Sequence, residues 1–125
     1  MPELGEGQPH AFVLETDPLS GAPGVGVRGE LDIDTAPGLT HVLESEIRAS
    51  VGPFVVDLCD LDLLDSSGVS VLVRARALLG REDRDLVVIC PPGPARRIFE
   101  VTNLDELLVL FDSREQAAAS LRPAA

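Results

Sequence analysis

Apolar residues in this chain follow two patterns, short strand-like runs and helical stripes, which alternate along most of its length. Alternating or near-continuous apolar residues predict five strands, at residues 10–15, 25–31, 54–58, 86–90 and 107–111. Helical spacing and capping signals predict four helices, which begin near residues 35, 66, 94 and 113. Because strand, helix and strand follow one another over residues 54–90, this part is expected to form a parallel unit.

The first predicted helix has a clear apolar stripe. Asp34 or Thr35 is expected to cap it, and Pro37 stands in its first turn, where a missing N–H costs little. His41 lies off the stripe and is interpreted as a surface histidine. The residues expected to face the sheet share helical spacing: Ala36, Leu39, Leu43 and Ile47.

The helix predicted at residues 66–79 has apolar residues on two sides. The side expected to face the core carries Gly68, Val71, Leu72, Ala75, Leu78 and Leu79. The opposite side carries Ser66, Val69, Ser70, Val73, Arg74 and Ala77. A solvated face is normally charged, so an apolar stripe of Val69, Val73 and Ala77 above Ser66 predicts an exposed docking surface.

The start of this helix carries candidate chemistry. Asp65 or Ser66 is a suitable N-cap, because its side-chain oxygen can accept a free N–H of the first turn. A helix N-terminus also favours negative charge, so a serine there can hold a phosphate. The same residues are equally typical of a helix that is only capped, and spacing alone does not separate the two interpretations.

Composition bounds the domain and its partners. One domain at residues 10–121 is expected, between a Gly- and Pro-rich flexible segment at 1–9 and a frayed end at 122–125. The loop at residues 16–24 is longer than a tight turn.

A net charge of −11 argues against direct nucleic-acid binding and against anionic membrane surfaces. With no apolar run long enough to span a membrane and no signal-peptide pattern, a cytoplasmic location is expected.

Several kinds of chemistry are disfavoured by the residues present. The chain has no lysine, which argues against Schiff-base catalysis and a P-loop. The acids at 57, 60, 62 and 65 do not match a calcium loop, so neither a metal nor any other cofactor is predicted. A serine hydrolase would need His10 or His41 as its base, and the G-x-S-x-G elbow is missing. Cys59 and Cys90 are expected to be buried thiols on neighbouring strands.

Three segments together resemble one family. The run Val55-Val56-Asp57-Leu58 followed by Asp65-Ser66-Ser67-Gly68 is similar to the signature of bacterial anti-sigma factor antagonists, the STAS-domain family. Gly29-Glu30-Leu31-Asp32 with Thr35-Ala36 resembles the family's second-strand motif, and residues 94–99 resemble its third-helix motif. The matching order covers most of the chain.

The resemblance implies a fold and a function. The fold would be an α/β STAS-like domain, with a mixed, mostly parallel sheet of about five strands flanked by about four helices, in the order β-β-α-β-α-β-α-β-α. The protein would be no enzyme. Ser66 would be phosphorylated by an anti-sigma factor that is also a serine kinase, a serine phosphatase would reverse this, and only the dephosphorylated form would bind and so release a sigma factor. Together with the docking stripe that helix spacing predicts, the expected partner surface comprises Asp32, Asp65, Ser67, Gly68, Val69, Val73 and Ala77.

Alternatives stay open at two levels. Asp32 is also a plausible turn residue at the end of the second strand, and Asp65 could either cap the helix or orient the Ser66 hydroxyl. For the whole protein, the second hypothesis is a non-switching binding subunit of a lipid-transport or signalling-scaffold complex. A third is a small enzyme that uses Ser66 or the aspartates.

Overall fold

The computed structural model describes residues 12–16, 19 and 21–121. Within them lie six strands and four helices, in the order β1 (Phe12–Thr16), β2 (Gly24–Leu31), α1 (Ala36–Arg48), β3 (Phe54–Asp57), β4 (Leu61–Leu64), α2 (Ser66–Gly80), β5 (Leu86–Ile89), α3 (Pro94–Val101), β6 (Val109–Phe111) and α4 (Arg114–Leu121). The predictions for residues 1–9 and 122–125, and for positions 17, 18 and 20 of the long loop, lie outside the described residues.

The strands form one mixed sheet in the order β1-β2-β3-β5-β6, with β4 paired to β2 off this path. β1 runs antiparallel to β2, and all other pairs are parallel. This confirms the predicted α/β class, the mostly parallel sheet and the four flanking helices.

β4 is a strand that the sequence analysis did not predict, since the five predicted strands leave residues 59–85 without one. The C-terminal half of β2 pairs with Leu61–Leu64, whereas its N-terminal half pairs with β3. A short strand with two exposed positions carries little local signal, and only its pairing with β2 defines it.

Each face of the sheet has its own core. The larger core contains Phe54, Val56 and Val88 and is covered by the apolar faces of α1, α2 and α3. The smaller core contains Val55, Val87 and Ile89, which alternate with them, and is covered by Ala117 of α4. The four residues predicted to face the sheet from α1 are all buried there, which confirms that helix stripe.

Candidate functional site

The site lies where α2 begins, and Asp65 defines that start. The Asp65 Oδ1 atom accepts hydrogen bonds from the backbone N–H of Ser67 at 2.9 Å and of Gly68 at 3.2 Å. This satisfies two of the donors that a helix leaves free at its N-terminus. Of the two residues predicted as possible N-caps, Asp65 is therefore the cap. Ser66 is the first residue of the helix and is exposed, whereas Ser67 is half-buried.

Gly68 lets this helix start lie directly on the sheet. A Cβ atom at Gly68 would stand 2.7 Å from both Leu31 Cγ and Leu64 Cδ1, two buried side chains at the ends of β2 and β4. Carbon atoms in contact are normally about 3.5–4.0 Å apart, so a larger residue does not fit without displacement. Gly68 is itself buried, so it supports the site from beneath and does not form part of its surface.

The β2–β4 pairing brings the two candidate aspartates together. Leu31 and Leu64 are partners in the parallel register, and Asp32 and Asp65 are the residues that follow them. Neighbouring strands lie about 4.8 Å apart, so both residues leave the same edge of the sheet side by side. The Asp65 N–H also donates to the Leu31 carbonyl at 3.2 Å.

Asp32 has a structural role of its own. Its Oδ1 atom accepts from the backbone N–H of Asp34 at 2.9 Å and of Thr35 at 3.1 Å, while Thr35 Oγ1 donates to the Glu30 carbonyl at 2.9 Å. These bonds form the turn from β2 into α1. The interpretation of Asp32 as a turn residue is therefore confirmed, and its contribution to partner binding stays a prediction.

The predicted docking stripe is wrong at Val69. That side chain is 3% exposed and belongs to the large core. α2 contacts both α1 and α3, so it is covered on two flanks as well as beneath, which a two-sided helix pattern does not reveal. Val73 is half-buried and packs against the same core, and Ala77 is exposed as predicted.

Sequence reasoning missed a groove beside Ser66. A space of about 470 Å³ lies between the N-terminal halves of α1 and α2. Ile33, in the turn after β2, lines it and is 70% exposed. The remaining lining residues are Ala36, Pro37, Thr40, Ser67, Ser70, Val71 and Arg74. Thr40 lies beside the core stripe of α1, one turn after Ala36, and a polar, half-buried residue at that position is a weak local signal of this groove.

The other strand-end acids form a separate cluster on the α4 side. Arg114 donates to Asp57 Oδ2 at 2.6 Å and to Asp60 Oδ2 at 3.0 Å, which attaches the start of α4 to β3. Asp57 is only 4% exposed, so the arginine compensates a buried carboxylate. No group of metal-ligating side chains with a suitable arrangement occurs in the described ranges.

Both cysteines carry free thiols. Burial, helped by the hydrogen bond and negative charge of Asp57, raises the pKa of Cys59 to about 12. Burial raises the pKa of Cys90 to about 11, against the opposing effect of Arg96. Cys90 is buried at the end of β5, which confirms the prediction of a buried thiol there. Cys59 lies just after β3 and is only half-buried.

The family is decided by comparison with known proteins. The family model described as "Mlab, STAS domain" matches residues 16–110 of the chain. The anti-sigma-B factor antagonist of Staphylococcus aureus is 30% identical over 91 residues, which are 73% of this chain and 84% of that protein. The chain belongs to the STAS-domain family.

Solved structures agree with this STAS-domain assignment. An anti-sigma factor antagonist from Mycobacterium paratuberculosis superposes with a TM-score of 0.83 and 27% identity, covering 92% of this chain and 97% of the other. Unphosphorylated Bacillus SpoIIAA has a TM-score of 0.72 at 21% identity, with 92% and 99% covered, and shows a shared fold.

The third-helix motif of this STAS domain has a structural explanation. Arg96 donates to the Cys90 carbonyl at 2.7 Å and to Asp112 Oδ1 at 2.6 Å, which ties α3 to the ends of β5 and β6.

No helix in the described part of the chain is long and apolar enough to cross a membrane.

Proposed function

We propose that this STAS-domain protein is an anti-sigma factor antagonist whose binding is switched at Ser66. The observation that carries the proposal is an exposed serine on the first turn of α2, held by the Asp65 cap beside Asp32. The Staphylococcus aureus relative, named an anti-sigma-B factor antagonist, supports the same class of activity. The dephosphorylated protein binds the anti-sigma factor, and a sigma factor is released.

In this proposal the phosphate is transferred by a kinase partner. Ser66 Oγ forms a bond to the γ-phosphorus of ATP, the bond from that phosphorus to ADP breaks, and the hydroxyl proton passes to a base of the kinase. Asp65 keeps the helix start fixed while this happens, because its Oδ1 atom is engaged by two N–H groups. Ser67 is less accessible, being half-buried.

The phosphate acts on the interface and leaves the fold intact. Phosphoserine adds about −1.5 to −2 charges at neutral pH. The N-terminus of α2 tolerates this charge. The partner surface does not, because burying an uncompensated charge in the interface costs several kcal/mol. A serine phosphatase restores the binding form, and the proposed partners imply a cytoplasmic protein.

The partner surface in this proposal is built from exposed and half-buried side chains around Ser66. Asp32 and Asp65 supply negative charge at the sheet edge, Ile33 supplies apolar area, and Val73 and Ala77 continue the surface along α2. Gly68 and Val69 contribute from below by fixing the position of the helix.

The test compares phosphorylation and binding in matched variants. With a cognate anti-sigma kinase and ATP, mass-spectrometric mapping should place the phosphate on Ser66, and Ser67→Ala should still be modified. Ser66→Ala should bind the anti-sigma factor and resist inactivation, whereas Ser66→Asp should bind more weakly. Label mainly on Ser67 would contradict the assignment. Equal affinity of all forms would instead indicate a non-switching STAS-type binding subunit.

A further inference from the structure

A single groove runs between α1 and α2 from the Ser66 end to the C-terminal end of α2. Two spaces compose it, of about 470 Å³ at the Ser66 end and about 370 Å³ further along, and both are lined by Thr40, Val71 and Arg74. Ser67 lines one end and Arg81 the other. These residues are fourteen positions apart on a helix, which corresponds to about 21 Å.

The groove has an apolar floor and a basic rim. The floor consists of buried or half-buried side chains: Ala36, Leu43, Ile47, Val71, Ala75 and Leu78. Arg74 and Arg81 stand exposed on the α2 side, and among the described residues Glu44 is the single acid that lines the α1 side. The groove therefore has a positive balance in a protein whose net charge is −11.

Neither groove arginine has an ion-pair partner within the described residues. Over residues 21–121, ion pairs are made by Arg84, Arg96 and Arg114, and neither Arg74 nor Arg81 takes part in one. α2 also contains no Asp or Glu between Ser66 and Gly80 that could neutralise them. An occupant that complements the charges of Arg74 and Arg81 in this apolar groove is therefore anionic.

We propose that the groove binds an acidic amphipathic helix of the anti-sigma partner, an inference that rests on the proposed function. A groove about 21 Å long between two helices suits a partner helix of about fourteen residues, laid with its apolar side on the floor. Acidic residues of that helix would pair with Arg74 and Arg81. The groove is continuous with the Ser66 site through Ser67 and Ser70, so one partner occupies both.

The test uses charge reversal with a control on the same helix. Arg74→Glu and Arg81→Glu together should weaken binding of the anti-sigma factor by about tenfold, since two favourable pairs become repulsive. Arg76→Glu is the matched control, because Arg76 is exposed on α2 but does not line the groove, and it should change affinity less than about twofold. Both the double variant and the control should melt close to the wild type.

A second, uncharged variant examines the groove itself. Thr40→Trp should fill the space shared by both halves and weaken binding by at least about tenfold, while Thr40→Ala should bind like the wild type. Unchanged affinity in Thr40→Trp and in the arginine pair, with the wild type still bound, would overturn the inference and leave the Ser66 proposal standing. Equal loss in Arg76→Glu would overturn it in favour of general electrostatics. If the groove variants bound the anti-sigma factor more tightly, or if they changed the oligomeric state of this protein, the occupant would be a second copy of this chain. That result would also overturn the inference.

Discussion

Replacing Gly68 by alanine should destabilise the domain, although alanine is the better helix former. The added Cβ would lie 2.7 Å from Leu31 Cγ and from Leu64 Cδ1, about 1 Å closer than a normal contact. Both leucines are buried, so neither can move freely. Overpacking of this kind lowers the free energy of unfolding by roughly 1–3 kcal/mol, whereas the higher helix propensity of alanine raises it by up to about 1 kcal/mol. The expected net loss is about 1 kcal/mol.

Gly80→Ala is the matched control, because Gly80 is the last residue of the same helix and nothing lies within 4 Å of the position that an added Cβ atom would take. The free energy of unfolding of Gly80→Ala should be about 0.5 kcal/mol higher than that of the wild type. For a domain of this size, about 1 kcal/mol corresponds to about 4 °C in Tm. Thermal unfolding followed by circular dichroism should therefore show Gly68→Ala about 4 °C below the wild type and Gly80→Ala about 2 °C above it. A Tm for Gly68→Ala as high as that of Gly80→Ala would refute the close packing of α2 on the sheet.

Three further predictions address the cap, the corrected helix face and the thiols. Asp65→Ala should lose about 1 kcal/mol in chemical denaturation and Asp65→Asn much less, since asparagine also caps a helix. Val69→Glu should lower Tm strongly because it buries an unpaired charge, whereas Ala77→Glu should shift it by under about 2 °C; equal melting would contradict the assigned faces. Burial raises the pKa of both Cys59 and Cys90, so the protonated thiols stabilise the folded state and the free energy of unfolding should fall as pH rises above about 9. Denaturation at several pH values should show a smaller fall for the double variant Cys59→Ala/Cys90→Ala than for the wild type, and an equal fall would contradict the sign.

The main architecture could be predicted because its signals are local. The buried run in β3, the cap at Asp65 and the stripe in α1 each follow from spacing that the folded structure repeats. β4 could not be predicted, because it is defined by pairing with residues about thirty positions earlier in the chain.

The site was predictable in its residues and less so in its surface. Ser66 and Asp65 lie where the sequence indicates, and the register explains why Asp32 joins them. The face of Val69 was misjudged because a helical pattern contains no information about the helices alongside it, here α1 and α3. The α1–α2 groove likewise arises only from packing of two helices that are far apart in sequence.

The central claim is that phosphate on Ser66 alone controls binding to the anti-sigma factor. The most direct measurement is calorimetric titration of the anti-sigma factor with unmodified protein and with protein carrying one mapped phosphate on Ser66, both shown to melt at similar temperatures. We expect tight binding of the unmodified form and a loss of at least about a hundredfold on phosphorylation, because the phosphate brings a desolvated, uncompensated charge into the interface. Equal affinity of the two forms would contradict the claim.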